Sequence, residues 1–219
     1  MRALHAQINP HFFFNSLNTI RYFIRTDPDN ARDLLTKLAE IFQRTLSAGE
    51  FVTLAEEIRH VEAYLSLEKA RLEERLQVVW THLAKQHQEQ QIPTLILQPL
   101  VENAVIHGIS PKPEGGTIHI IINSIGSTLL IQVDDDGMGF DMEAKPIDAA
   151  KNSKSTESNA QPTNQEAYLP AGSGTSIGLT NIRQRLQKVY GEDASLHLES
   201  KPSEGTKAVL TIPLIDTAH

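Results

Sequence analysis

The chain has 219 residues, of which 40% are hydrophobic and 5% aromatic, with a formal net charge of -7. That is enough apolar material for one large domain or two small ones, and the acidic balance offers no basic patch for a phosphate backbone, so no nucleic acid is expected as a partner. Cysteine is absent, which excludes disulfides and thiolate metal sites.

From residue 4 to about residue 72 the spacing predicts helices. Leu4, Ile8, Phe12, Leu17, Ile20 and Ile24 recur at helical intervals. Asp27 and Pro28 then form a turn and a helix start, with Asp27 as cap and Pro28 at the first helical position. Leu34, Leu35, Leu38, Ile41, Phe42 and Leu46 give a second amphipathic helix, ended by Ser47 to Gly49. Thr53 and Glu56 form a capping box that opens a third helix, with Ile58, Val61, Leu65 and Leu72 on one face. Two helices joined by a short turn predict an antiparallel hairpin with more apolar surface than it can bury alone. A four-helix bundle made by a homodimer is the expected outcome.

Near residues 72 to 76 the texture changes, and a domain boundary is expected there. "LQVVWTHL", "TIHIIINSIG" and "TLLIQVDDDG" are β-rich, the last two forming a hairpin. Between the first and second lies "IPTLILQPLVENAVIHGI", which suits a buried helix. A helix from about Ile177 to Val189 precedes a second hairpin, "SLHLESKP" and "TKAVLTIPL", turned at Ser203 to Gly205. Helices segregated from antiparallel hairpins predict an α+β layered fold. Glu143 to Ala171 is polar and without periodicity, so it is expected to be a mobile lid.

Four segments of the second half can carry chemistry. In "LVENAVIHG", Asn103 and His107 are four apart and share a helix face with Glu102 beside them. A carboxylate, an amide oxygen and an imidazole there suit a Mg-bound polyphosphate; the alternative is a polar helix end. In "DDDGMGF", Asp135 follows a strand and can accept a hydrogen bond from an exocyclic amine. Gly137 and Gly139 let backbone approach a ring, although a plain Asp-Gly turn has the same letters. In "GSGTSIGLTNIRQRL", Gly172, Gly174 and Gly178 run into a helix start whose N–H groups attract anions. It is neither a Walker loop nor a dinucleotide fingerprint. In "SEGTKAVLTIP", Gly205 and Thr206 turn a hairpin.

In this order, the four segments resemble the N, G1, G2 and closing Gly-Thr boxes of the ATP-binding (GHKL) fold. That fold is shared by histidine kinases, type II topoisomerases, Hsp90-like chaperones and MutL-like proteins. The resemblance covers about Leu76 to Leu214 and implies an α/β sandwich with ATP between helices and sheet. It makes Asn103 a Mg ligand, His107 a phosphate contact and Asp135 the adenine contact. Gly137, Gly139, Gly174, Gly178 and Thr206 would shape the pocket. Ser176 stands where the family usually has glycine.

The first half is similar to one branch of that group. "QINPHFFFNSLN" resembles the phosphoacceptor box of the LytS/YehU type of sensor histidine kinase, Gln-Ile-x-Pro-His-Phe-Leu-Phe-Asn-x-Leu-Asn, with Phe13 in place of leucine. Val52 to Leu76 and "LQPLVENAVIHG" resemble the same family. The division implied is a dimerisation and phosphotransfer domain over 1-74 and a GHKL catalytic domain over 75-219, with the lid at about 143-173. Gln7, His11, Asn15 and Asn18 lie along one helical stripe, and Pro10 starts or kinks the helix there. His11 is thus the expected phosphoacceptor, with ATP and Mg as cofactors and a response-regulator receiver domain as the next partner. Phe12 occupies the place where many other histidine kinases carry an acid. Glu102 is the candidate base, and Asn15 could orient water for dephosphorylation.

An ATP-driven conformational clamp would need a carboxylate one turn before Asn103, where the chain has Pro99. A signalling adaptor without turnover is the other alternative. No signal-peptide pattern follows Met1, and no apolar run reaches the roughly 18 residues of a membrane span. The expected location is the cytoplasm, with membrane attachment only through a missing upstream region.

Overall fold

The computed structural model describes residues 10–47, 49–81, 87–141 and 174–214. Gln7, Gly172 and the expected lid lie outside the described residues. Helix α1 is described over Pro10–Thr26. Helix α2, Pro28–Ser47, starts as anticipated, with the Asn30 N–H donating to Asp27 Oδ1 at 3.2 Å. A short strand β1, Phe51–Thr53, leads into helix α3, Leu54–Leu72. Both bonds of the capping box are present, Glu56 N to Thr53 Oγ1 at 3.1 Å and Thr53 N to Glu56 Oε2 at 2.9 Å.

The expected hairpin of α1 and α2 gains a third member, because α3 packs on both helices. Its side chains are buried around most of its circumference, Val61, Tyr64, Leu65 and Leu67 among them. Leu17, Ile24, Leu35 and Phe42 of the apolar stripes are exposed in the single chain, as is Phe14. The run of phenylalanines splits three ways: Phe12 meets Tyr64, Phe13 meets Phe42, and Phe14 is 66% exposed. Successive helical residues point about 100° apart, so three in a row cannot share a face.

Strand β2, Leu76–Thr81, begins a five-stranded sheet, and β3, Gln91–Pro93, pairs antiparallel with β1 through Val52 and Ile92. This ribbon and the packing of α3 on β2 tie the two halves together on either side of the expected boundary. The stretch read as one buried helix is split. Residues 91–93 extend as β3, and only Gln98–Asn103 forms the α-helix α4. Strands β4, Gly116–Ile125, and β5, Thr128–Asp135, form the expected hairpin. Helix α5, Gly174–Tyr190, and the hairpin of β6, Ser195–Lys201, with β7, Gly205–Pro213, complete the fold.

The sheet order is β2-β4-β5-β7-β6, with β2 and β4 parallel and the other pairs antiparallel. One face is apolar by strict alternation: Ile118, Ile120 and Ile122 on β4, Leu129, Ile131 and Val133 on β5, Ala208, Leu210 and Ile212 on β7. Leu100, Val101 and Ile109 join this core with Leu179, Ile182 and Leu186 of α5. The next position of that alternation on β5 is Asp135, a buried carboxylate at the end of the apolar row.

Candidate nucleotide and phosphoacceptor site

The site grows from the turn after α4. Residues Ala104–Ile109 form a single π-helical stretch directly continuing α4, a local widening often found at functional sites. It carries His107 and Gly108 toward β5. A side-chain carbon on Gly108 would overlap the Asp135 carboxylate, and one on Gly137 would overlap the Gly108 backbone. Only glycines allow the helix end, the strand end and the following turn to meet this closely. Met138 N donates to Gly108 O at 3.0 Å and locks the contact.

Asp135 sits opposite Thr206 on β7 and accepts the N–H of Gly137 at 3.0 Å and also that of Thr206. Burial pushes its carboxyl up to about 6, against those two bonds, with Asp136 and Asp134 adding to the rise. The carboxylate therefore has a fixed orientation and little water. Thr206 Oγ1 lies 3.0 Å from Ser200 Oγ. Gly139 has a φ of 55° and lies against the Lys201 carbonyl, so it too joins this corner.

On α4, Glu102 Oε1 accepts from Gln98 Nε2 at 2.6 Å. Burial raises the Glu102 pKa, the Gln98 bond lowers it, and the nearby Glu68 raises it further. Asn103 Nδ2 is buried with no partner among the described residues, an amide left to be satisfied by something else. Half-buried His107 is held toward its neutral form by burial. A side-chain carbon added to Gly178 of α5 would lie 3.8 Å from Pro99 Cβ, in ordinary contact, and Gly174 is the first described residue of that helix. Glu102, Asn103, His107, Asp135, Gly137, Gly139 and Thr206 thus all belong to α4, its π turn or the strand ends beside it.

His11 and Asn15 make a second pair, on exposed α1. Asn15 Nδ2 lies 3.2 Å from His11 Nδ1 and 3.3 Å from Nε2. The link from this pair to the first group passes through α3, where the Phe12 and Tyr64 rings sit 5.0 Å apart.

Sequence reasoning missed what holds α4 in place. Glu57 is fully buried and accepts the N–H groups of Leu95, Ile96 and Leu97 at 3.3, 3.0 and 3.1 Å. Burial raises its pKa against those bonds. With His60, Tyr64 and Glu68 it forms a buried polar stripe on α3, each residue less than 5% exposed. Spacing of three, four and four was the available signal, masked because Glu57 follows the capping-box acid Glu56. Arg75 supports the other end of the π turn by donating to the carbonyls of Ser110, Lys112 and Pro113.

Comparison with known proteins accords with this geometry. Residues 1–76 match the histidine kinase family model, and residues 88–216 match that of the histidine kinase-, DNA gyrase B- and HSP90-like ATPases. The sensor histidine kinase BtsS of Escherichia coli K12 is 34% identical over 219 residues, all of this chain and 34% of that protein. The sensor protein LytS of Bacillus subtilis is 32% identical over 216 residues, 98% of this chain and 34% of that protein. YpdA, a sensor histidine kinase of Escherichia coli K12, is 34% identical over 215 residues, again 34% of its length. The chain spans about a third of the length of these relatives. It belongs to the sensor histidine kinase family of the LytS type, with a nucleotide-binding part of the histidine kinase, gyrase and HSP90 ATPase fold.

Proposed function

We propose that this chain is a histidine kinase core that transfers the γ-phosphoryl group of Mg-ATP to His11 and then to an aspartate of a response-regulator receiver domain. The observation that carries the reading is Asp135: a buried, oriented carboxylate at a strand end, pressed against Gly108 and suited to an exocyclic amine. Residues 1-74 act as the dimerisation and phosphotransfer part and 75-219 as the catalytic part. The exposed Phe14, Leu17 and Ile24 of α1 and Leu35 and Phe42 of α2 supply an apolar surface for a homodimer.

In the transfer, the lone pair of a neutral His11 ring nitrogen forms the N–P bond as the P–O bond to ADP breaks. The ring is then cationic until the proton on its other nitrogen leaves. Glu102 is the proposed acceptor, since burial and Glu68 raise its affinity for a proton. Asn15, beside both ring nitrogens, orients the imidazole and could place water for dephosphorylation. The Asn103 amide oxygen would hold Mg, whose other ligands would come from water and phosphate oxygens and which would neutralise phosphate charge when bound, leaving the orphaned Nδ2 to donate to an oxygen. His107, Gly174 and Gly178 complete the phosphate side, and Gly137, Gly139 and Thr206 the base side.

The location follows from the same reading. Among the described residues no helix is long and apolar enough to cross a membrane. We place this part in the cytoplasm, with any membrane attachment upstream. Incubation with γ-labelled ATP and Mg tests the function. Acid-labile, alkali-stable label that disappears in His11→Gln is expected; label that persists in that variant would overturn the reading.

A further inference from the structure

The apolar face of the sheet ends in a row of three polar residues. Asp135 on β5 stands opposite Thr206 on β7, and Thr206 stands opposite Ser200 on β6. The alternation that turns Val133, Ala208 and Leu198 toward the core puts all three on that face. Directly opposed residues hold their Cβ atoms about 4.5–5.5 Å apart, so Thr206 has Asp135 on one side and Ser200 on the other. The turn beside them is fixed. A side-chain carbon on Gly205, at a φ of 94°, would overlap the Asp135 carbonyl, and Ser203 N donates to Met138 O at 2.6 Å.

Ser200 Oγ has three partners. It accepts the N–H of Phe140 at 2.9 Å, donates to the Gly205 carbonyl at 3.1 Å and lies 3.0 Å from Thr206 Oγ1. A serine hydroxyl has one proton and two lone pairs. The carbonyl can only accept, so it takes the Ser200 proton. The bond between the two hydroxyls then runs from Thr206 to Ser200, and it uses the one proton that Thr206 Oγ1 has. Lone pairs are what Thr206 can still offer a ligand. An ionised Asp135 carboxylate is likewise an acceptor only.

We propose that Ser200 is a specificity-determining positioning residue of the nucleotide site, holding the Thr206 hydroxyl as an acceptor so that Asp135 and Thr206 together select a 6-amino purine over a 6-oxo purine. This rests on the nucleotide reading above and extends it to a residue of β6. A 6-oxo purine brings a carbonyl acceptor to a corner made of acceptors, and unmatched polar groups are what such a site rejects most strongly. No bond to the nucleotide is assigned to Ser200; it acts through Thr206.

The test is calorimetric titration of the full chain, above neutral pH, with Mg-ADP and Mg-IDP, which carry an amine and a carbonyl at position 6. Thermal unfolding is followed alongside. Wild type should prefer ADP by about a hundredfold or more. In Ser200→Ala the Thr206 proton is free to turn toward the base, and the preference should fall about tenfold, chiefly because IDP binds more tightly. Thr206→Val is an independent arm that leaves Ser200 in place. It should weaken ADP and leave IDP no weaker, because the proton it removes is not available to a ligand. Equal affinity for the two nucleotides in wild type overturns the proposal. So does an unchanged preference in Ser200→Ala, since Ser200 then only braces the turn, and so does weaker IDP binding in Thr206→Val. Each of these results, with ADP still bound by wild type, leaves the kinase reading intact. Wild type that binds neither nucleotide overturns both.

Discussion

Phe12 and Tyr64 pack ring against ring at 5.0 Å, which joins α1, the helix that bears His11, to α3, the helix that supports α4. Helix α3 touches α1 with one face, while Glu57 on the same helix holds the three N–H groups leading into α4. A shift of α1 against α3 is therefore felt by side chains that also border Gln98 and Glu102. In this arrangement α3 is as much a part of the catalytic half as of the helical half.

If Asp135 is the proposed adenine contact, nucleotide binding should depend on pH. Its pKa is pushed up to about 6, above the ordinary carboxylate range. The charged form is the stronger acceptor for an amine, so affinity should hold above pH 6 and fall as pH drops through that value. Asp135→Asn should weaken nucleotide binding about tenfold or more. Because the native state holds its proton more tightly than the unfolded chain, ionised Asp135 costs stability at neutral pH, up to about 3 kcal/mol. The amide variant should therefore be no less stable, which calorimetric titration and thermal unfolding can check side by side.

His60 should produce the opposite slope. Burial, aided by the Arg44 charge, lowers its pKa to about 4, opposed by the nearby Gln98 side chain, which favours the charged ring. The unfolded chain then binds a proton first on acidification, so His60 makes the native state lose stability as pH falls from about 6.5 toward 4. The full loss is about 3 kcal/mol. His60→Leu should unfold with a correspondingly flatter pH dependence. Denaturant titrations at several pH values compare the two slopes.

Glu57 is expected to be the costliest α3 side chain to remove. Three N–H groups depend on it, and Leu95, among those it holds, has a φ of 59° that a bulky residue adopts only under constraint. Glu57→Ala should destabilise by about 2–4 kcal/mol, measured as a shift in the denaturant midpoint. Glu57→Gln should recover part of that loss, because one amide oxygen can still accept.

Gly108→Ala tests the close approach at the nucleotide corner. The added methyl would overlap the Asp135 carboxylate, so either β5 or the π turn must move. A stability loss of about 1–3 kcal/mol is expected, with weakened nucleotide binding beyond what the stability loss explains. An alanine variant with unchanged affinity would mean that Asp135 is not held in its binding orientation by this contact.

Much of this architecture was legible from the residues. The capping box of Thr53 and Glu56 and the Asp27–Pro28 start marked helix ends, because local hydrogen bonds decide them. The two hairpins showed through period-two alternation that ends at Asp135. The short strands β1 and β3 did not show, since three residues carry no periodicity and their pairing joins Val52 to the distant Ile92. The π turn was hidden because the spacing of Asn103 and His107 suits an α-helix and a π-helix alike. Leu17 and Phe42 were legible as members of apolar faces, but a helical repeat identifies such faces without saying what covers them. The buried stripe from Glu57 to Glu68 was overlooked for a related reason: polar letters at helical spacing ordinarily mark a solvated face.

Site-resolved mass spectrometry of the chain after reaction with Mg-ATP, under alkaline conditions that preserve phosphohistidine, tests the central claim most directly. Phosphate on His11 in the wild type, none on the chain in His11→Gln, and a reduced level on His11 in Asp135→Asn, is the predicted result. Phosphate on another residue, or on His11 at an undiminished level in Asp135→Asn, would contradict it.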